Sequence, residues 1–462
     1  AVTFTNKAAE EMQERLRGIL TNTQPLPFVG TFHGLGYRML SRSMADTPLS
    51  VVDEETRKAL VRDAMVVNGL NKKGSGISVD DLMGWIVGVK QKMRCSKDSL
   101  DSLCPPDRLA GFARCYKTYE YLLGAAHLVD FEDLILRAIQ LLEDAPDNRY
   151  AGRYSHIFID EYQDINAGQY RLIRLLAGDH ANICIIGDPD QSIYGFRGSD
   201  ARCFKWFMHN YPDARTLFLN RNYRSTQTIL ELSAQVIQQN PELLETGGRR
   251  EIYSHMTGDR TIQVMALATE NAEVVAIGKT IEKMVGGTGF FSLDSGAVDG
   301  RSDLKPLSFA DFAVLFRTRS QGDTIFRILE KVGIPCQIVD RRTVLDHPGI
   351  KSVLSVFKLL RGMGLFSDLQ ATVKVIKPSV SIKVVEMLMS WAYAKNLPLA
   401  EALVKARRVP IPHMGNKRQQ RLYSFVGRLS SFSEEIDDLA VADTLESVSY
   451  THLTLPTKED VC

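Results

Sequence analysis

Three observations predict an α/β fold built on a parallel sheet. Two apolar runs, Ile157-Phe158-Ile159 and Ile183-Cys184-Ile185-Ile186, show no alternation and each runs into acid, at Asp160-Glu161 and at Gly187-Asp188. Such runs suit central strands of a parallel sheet covered by helices on both faces, and ligands of such sheets sit beyond the carboxyl ends of the strands. Around these runs, long stretches repeat apolar residues at helical spacing. Finally, 462 residues are too many for one compact core, so several domains are expected.

The strand-terminal acids suggest chemistry. A carboxylate directly after a strand, as at Asp160, suits Mg²⁺ held on nucleotide phosphates, because a hard cation prefers oxygen ligands and keeps several waters. Glu161 then stands where a general base could take a proton from water attacking the γ-phosphate. A turn residue or helix cap fits a bare Asp-Glu as well. Longer phrases narrow the choice.

Asp160-Glu161-Tyr162-Gln163-Asp164 and Gly187-Asp188-Pro189-Asp190-Gln191-Ser192-Ile193-Tyr194-Gly195-Phe196-Arg197-Gly198 resemble motifs II and III of superfamily 1 helicases of the UvrD/Rep/PcrA type. The resemblance extends in the family's order to Thr3-Phe4-Thr5-Asn6-Lys7-Ala8-Ala9 (motif Ia), Thr31-Phe32-His33 (motif Ib) and Asn222-Tyr223-Arg224-Ser225 (motif IV). It implies RecA-like parallel-sheet motor domains, 1A and 2A, both incomplete, with mostly helical insertions 1B and 2B.

The resemblance also implies roles. Asp160 would hold Mg²⁺ and Glu161 would act as the base, while Gln191 would sense the γ-phosphate, a task suited to a side chain that both donates and accepts hydrogen bonds. Tyr223 would lie on the adenine of ATP and Arg224 would reach the γ-phosphate, its planar charged fork matching phosphate oxygens. Tyr194 and Phe196 would stack on bases of single-stranded DNA, an interaction blind to sequence. Phe196 stands where the family often has Trp. Phe4, Thr5, Thr31 and His33 would complete the DNA contacts.

In chain order, Ala1 to Thr5 reads as a strand, and Asn6 as the cap of a helix with Ala8, Ala9, Met12, Leu16 and Leu20 on one face. Phe28 to Thr31 reads as a second strand; residues 1–48 form the first part of 1A. Residues 49–146 are helical and correspond to 1B, with Lys90, Lys92, Arg94 and Lys97 as a basic cluster able to meet DNA phosphates. Residues 147–221 return to 1A and close with a strand at 216–220. Residues 222–340 form 2A, with strands at Thr261–Met265 and Phe312–Phe316, helices at 272–284 and 324–332, and a Gly- and Ser-rich loop at 286–306. Residues 341–446 are helical and correspond to part of 2B. There, Lys377-Pro378-Ser379-Val380-Ser381 replaces a glycine-containing hairpin by which many relatives meet duplex DNA. Residues 447–462 change abruptly to strand-like alternation and read as a non-native tail.

No Gly-x-x-x-x-Gly-Lys-Ser/Thr phrase occurs, nor do motifs V and VI follow. The resemblance therefore implies a piece beginning inside the first motor domain and unable by itself to hydrolyse ATP. The charge balance, 56 Lys and Arg against 55 Asp and Glu, gives no general argument for nucleic acid, so any DNA groove must be local. Seven cysteines without a Cys-x-x-Cys fit reduced thiols in a cytoplasmic protein, Cys184 among them in a core strand. No apolar run is long enough to span a membrane. The expected parent is an ATP-dependent 3′–5′ DNA helicase, using ATP and Mg²⁺ on single-stranded DNA and single-strand/duplex junctions. The alternatives are the helicase portion of a RecB/AddA-like helicase-nuclease and a silent single-stranded-DNA-binding remnant.

Overall fold

The computed structural model of the chain describes residues 1–436 apart from 21–25, 44–48, 72–75, 97–99, 101–105, 145–152, 179–181, 201, 239–251, 258–260, 286–306, 340–346 and 376–379. The 286–306 loop, Lys97, Lys377 to Ser379 and the 447–462 tail therefore lie outside the described residues. The chain divides into two compact units. One joins 1–219 to 235–250 and 348–462, and the other holds 220–234 and 251–347.

The first unit begins with β1 (Val2–Thr3), α1 (Asn6–Ile19), β2 (Gly30–Thr31) and α2 (Phe32–Ser43). Thr5 rather than Asn6 caps α1: its extended backbone turns the chain and its hydroxyl accepts from Ala8 N, which relieves an orphan helix N–H. After β3 (Ser50–Val51) come α3 (Glu54–Val67), α4 (Val79–Gln91), α5 (Pro106–Ala125), β4 (Leu128–Val129) and α6 (Phe131–Asp144). Then β5 (His156–Ile159), α7 (Ala167–Ala177), β6 (Asn182–Ile185) and α8 (Arg202–Asn210) return to the first sheet.

That sheet is wholly parallel, in the order β2-β1-β5-β6, with Val2 opposite both Gly30 and Ile159 and with Ile159 opposite Ile185. Parallel pairing puts all four carboxyl ends on one edge. Turns more than 150 residues apart in sequence thus become neighbours. Contrary to expectation, β5 and β6 are not covered on both faces, since Phe158 in β5 is 47% exposed and Ile186, just past β6, is 49% exposed. Their open face borders an apolar cavity of about 680 Å³ lined by Met12, Leu16, Phe28, Phe158, Leu172 and Ile186 among others. Cys184 is likewise exposed rather than core. Apolar composition establishes a strand without determining what lies over each face.

A second core joins α3, α4 and α5 through Leu60, Ala64, Leu82, Ile86, Tyr116 and Tyr119. A third is built by α12 (Pro348–Leu360), α13 (Phe366–Val375), α14 (Ile382–Ala394), α15 (Leu399–Ala406) and α16 (Asn416–Ile436). Helix α3 serves both, because Val66 and Val67 pack against the third core. Tyr393 seals the seam, edge-on to Tyr121 at 5.1 Å and hydrogen-bonded by Thr118 Oγ1 at 3.2 Å.

Lys90 does not belong to a DNA-facing cluster. Its ammonium is fully buried and donates to Asp130 Oδ2 and Asp133 Oδ1, both at 2.7 Å. Burial opposes the charge, but the two carboxylates outweigh it and raise the Lys90 pKa. Helical spacing places Lys90 on an inward face, while Lys92 and Arg94, just past α4, are exposed.

The second unit holds β7 (Arg221–Asn222) paired with β8 (Tyr253–Ser254), then α10 (Glu270–Val285) and α11 (Arg319–Lys331), with α9 (Gln227–Ile237) following β7. Val274, Leu329 and Ile334 form its small core. The segments expected as strands at 216–220, 261–265 and 312–316 lie outside any ladder among the described residues. Leu219 (92%), Val264 (94%) and Leu315 (93%) are open to solvent. An alternating apolar segment becomes a strand only where a second backbone accepts its hydrogen bonds.

Candidate functional site

The site forms at the carboxyl edge of the four-stranded sheet. Asp160 ends β5, and its backbone N–H donates to Val2 O at 2.9 Å. The fully buried Thr3 sends its hydroxyl to Asp160 Oδ2 at 3.3 Å, which aims the partly exposed carboxylate off the sheet edge. No group of three His, Cys, Asp or Glu side chains gathers into a metal cage among the described residues. One oriented carboxylate beside a hydroxyl nevertheless fits Mg²⁺, which takes one or two carboxylates and completes its shell with water and phosphate oxygens.

Glu161 occupies the left-handed region at φ 52°, ψ 45°, a conformation that costs a residue with a Cβ of order 1 kcal/mol. Its neighbours hold it there. Tyr162 N–H donates to Ile186 O at 2.9 Å, and Gln163 Nε2 donates to Glu161 Oε2 at 2.6 Å. The other end of the same Gln163 amide accepts from Asp188 N–H at 3.0 Å. Gly187 leaves room for this bridge, since a Cβ there would lie 2.6 Å from Gln163 Oε1. Sequence reasoning misses Gln163, although a two-sided amide inside the Asp160–Asp164 phrase was the available signal.

Asp188 organises the next turn. Its carboxylate accepts from Asp190 N–H at 3.1 Å and from Gln191 Nε2 at 2.9 Å. Gln191 is exposed beside the Glu161 loop, to which Gln163 ties its turn. Asp164 is buried behind them, and burial, reinforced by the Glu161 charge, pushes its carboxyl up to about 6.

Aromatic rings line the same edge. Phe4 stacks on Tyr194 with centroids 5.3 Å apart and planes at 22°, and Tyr194 lies 6.1 Å from Phe196. Phe196 is 78% exposed, so the shelf ends in a ring whose surface is largely open to solvent. Thr31 accepts from Gly34 N–H at 3.1 Å at the start of α2. His33 follows in the first turn of α2, edge-on to Phe131 at 5.7 Å, with burial lowering its pKa. Thr5 is exposed, although its hydroxyl also caps α1.

Tyr223 and Arg224 belong to the second unit. Tyr223 is 66% exposed and packs edge-on against His255 at 5.0 Å with the Arg221 guanidinium 5.2 Å above its ring. The exposed Arg224 follows Asn222, whose side chain accepts from Arg224 N–H at 2.9 Å and Ser225 N–H at 2.8 Å.

The model of the UvrD/REP helicase N-terminal domain matches residues 1–212, and that of the UvrD-like helicase C-terminal domain matches 217–401. The chain belongs to the UvrD/REP helicases. This UvrD/REP chain is 28% identical over 454 residues to proteins named ATP-dependent DNA helicase PcrA from Staphylococcus epidermidis and Staphylococcus aureus. The match covers 97% of this chain and 58% of each relative, so the chain spans less than two thirds of their length. No helix among the described residues is long and apolar enough to cross a membrane.

Proposed function

We propose that this chain is the DNA-tracking and nucleotide-sensing part of an ATP-dependent DNA helicase moving 3′ to 5′ on single strands and at single-strand/duplex junctions, in cytoplasmic DNA repair or replication. The observation that carries the proposal is the Phe4–Tyr194–Phe196 shelf on the sheet edge that also bears Asp160 and Glu161. Stacking on rings holds any base, while the adjoining acids suit a nucleotide and its cation. Stepping needs both functions close together.

In this reading Asp160 and the Thr3 hydroxyl hold the cation, and Mg²⁺, when bound, neutralises charge on the phosphates. Glu161 takes the proton of the attacking water. Gln191 contacts the terminal phosphate, and its turn leads within three residues to Tyr194, so a change at the nucleotide reaches the base shelf. Tyr223 supports the adenine and Arg224 stabilises charge on the transferred phosphoryl group. Because the 462 residues contain no Gly-x-x-x-x-Gly-Lys-Ser/Thr phrase, hydrolysis needs a phosphate cradle from outside them, and the chain alone is expected to turn over little or no ATP.

Single-strand affinity with and without Mg-nucleotide, measured by fluorescence anisotropy alongside an ATPase assay, tests this. Single-strand binding that weakens in Phe196→Ala and responds to nucleotide supports the proposal. Binding indifferent to nucleotide favours a silent DNA-binding remnant, and no single-strand binding overturns both. ATP hydrolysis stimulated by single strands and abolished in Glu161→Gln would show that the chain needs no outside cradle.

A further inference from the structure

The shelf that ends in Phe196 is backed by a residue from outside the sheet. Phe196 lies in the short turn Gly195–Arg197, which Gly198 closes in a left-handed backbone at φ 86° with its N–H donating to Gly195 O at 2.9 Å. Ser199 N–H then donates to Tyr194 O at 3.3 Å, which ties the chain after the turn to the backbone before it. Against Gly198 stands the side chain of Gln91, the last residue of α4. A Cβ at Gly198 would lie 2.8 Å from Gln91 Cδ and nearer still to Oε1, so the amide fills the place a side chain would take.

The end of α4 is a firm support for that amide. Ser78 and Asp81 form a capping box at the other end of the helix, and Leu82, Ile86 and Val89 are buried along it. Lys90, one residue before Gln91, is locked between Asp130 and Asp133. Two residues after Gln91, Met93 turns left-handed at φ 57°, donates its N–H to Lys90 O at 2.8 Å and packs against the core of the first sheet. Arg94 O accepts from the Tyr116 hydroxyl at 3.0 Å. Gln91 thus sits between two anchors. Moving it would break a buried ion pair on one side or a packed core contact on the other.

The consequence lies in how an exposed ring is held. Phe196 is 78% exposed, so the direction of its ring depends chiefly on the turn that bears it. A ring on a turn already fixed loses less freedom when a planar group stacks on it than a ring on a turn that flexes.

The geometry points to Gln91 as a positioning residue of the base shelf: by filling the space behind Gly198 it holds the Gly195–Gly198 turn, so that Phe196 presents its ring to a base of single-stranded DNA. The nature of the ligand rests on the proposed function; the brace rests on the packing of α4 alone. Gln91 touches no base in this arrangement. Its length, rather than its polarity, is what the turn meets.

The test compares Gln91→Ala, Gln91→Met, Phe196→Ala and the double variant Gln91→Ala/Phe196→Ala in the 462-residue chain, by amide hydrogen exchange and by single-strand anisotropy. In Gln91→Ala, exchange at the Gly198 and Ser199 amides is expected to quicken roughly 10-fold while β5 and β6 exchange as in wild type. Single-strand affinity should fall about 3- to 10-fold. Gln91→Met, which restores the length, should stay within about twofold of wild type in both measurements. In the Phe196→Ala background the effect of Gln91→Ala on affinity should vanish, because a residue that acts only through the ring has nothing left to act on. Wild-type exchange at Gly198 and Ser199 in Gln91→Ala overturns the inference, while an affinity loss in Phe196→Ala keeps the shelf in place. Equal affinity losses from Gln91→Ala in both backgrounds also overturn it, since Gln91 would then meet DNA directly. Exchange that quickens across β5 and β6 as well makes Gln91 a general stabilising residue and overturns it. If Gly198 and Ser199 exchange faster but neither Gln91→Ala nor Phe196→Ala alters single-strand binding, the brace is supported and the DNA reading of the shelf falls.

Discussion

One side-chain amide, that of Gln163, donates to Glu161 Oε2 at 2.6 Å and accepts from Asp188 N–H at 3.0 Å, so the candidate base and the turn carrying Gln191 share a single link. Gln163→Leu keeps the volume and removes both bonds. The expected outcome is a loss of about 1–3 kcal/mol in chemical denaturation, with faster hydrogen exchange at the Asp188 amide. Gln163→Glu retains the acceptor for Asp188 but sets a second carboxylate against Glu161. That variant should keep Asp188 protected and be more destabilised at pH 8 than at pH 4, and equal loss at both values would deny the contact.

The base shelf makes separable predictions for binding and stability. Phe196 is mostly exposed, so Phe196→Ala should leave the thermal midpoint unchanged within error while weakening single-strand binding by about 1–3 kcal/mol. Tyr194→Ala removes the ring that joins Phe4 to Phe196 and should lose at least as much affinity. Single-strand titrations that do not distinguish either variant from wild type would remove DNA from the shelf.

A buried carboxyl at the seam of two helical cores should set the pH dependence of folding. Asp63 on α3 is almost fully buried, its Oδ2 has no hydrogen-bond partner among the described residues, and burial with the nearby Asp368 on α13 pushes it up to about 8 despite Arg62. Thr372, also on α13, is another buried group whose hydroxyl has no partner among the described residues. Asp63 stays protonated in the fold at pH values where the unfolded chain has released its proton. Stability from this group is therefore full below about pH 4, falls by up to about 1.4 kcal/mol per pH unit as pH rises toward 8, and levels off above. Asp63→Asn should flatten that slope and stabilise the chain on the order of 3 kcal/mol at pH 8. A slope that survives in Asp63→Asn would place its origin elsewhere.

Lys90 gives the opposite case, a buried charge whose partners are complete. Lys90→Met leaves Asp130 without a cation and Asp133 with Arg137 alone at 3.3 Å, and should cost about 3–5 kcal/mol in denaturant unfolding. Lys92→Ala, at the exposed residue that ends α4, should cost under about 1 kcal/mol. Equal effects would mean that Lys90 is not paired as described.

The sequence by itself determined the family, the parallel sheet and the positions of the site phrases, because these reside in contiguous words. A strand, its terminal acid and the following turn are neighbours along the chain, and Asp160, Glu161, Gln191 and Tyr194 could be named for that reason. Only tertiary structure decided the rest. The stacking of Phe4 on Tyr194 and the Thr3–Asp160 hydrogen bond cross more than 150 residues and exist because parallel pairing brings separate strand ends to one edge. Lys90 and Arg407 look alike in the sequence, as basic residues in helical stretches. What separates them is whether carboxylates from another helix come within 3 Å, which no local pattern records. The apolar segments at 261–265 and 312–316 are strands only in the presence of a neighbouring backbone, and a hydrogen-bond partner is a property of the fold rather than of the segment.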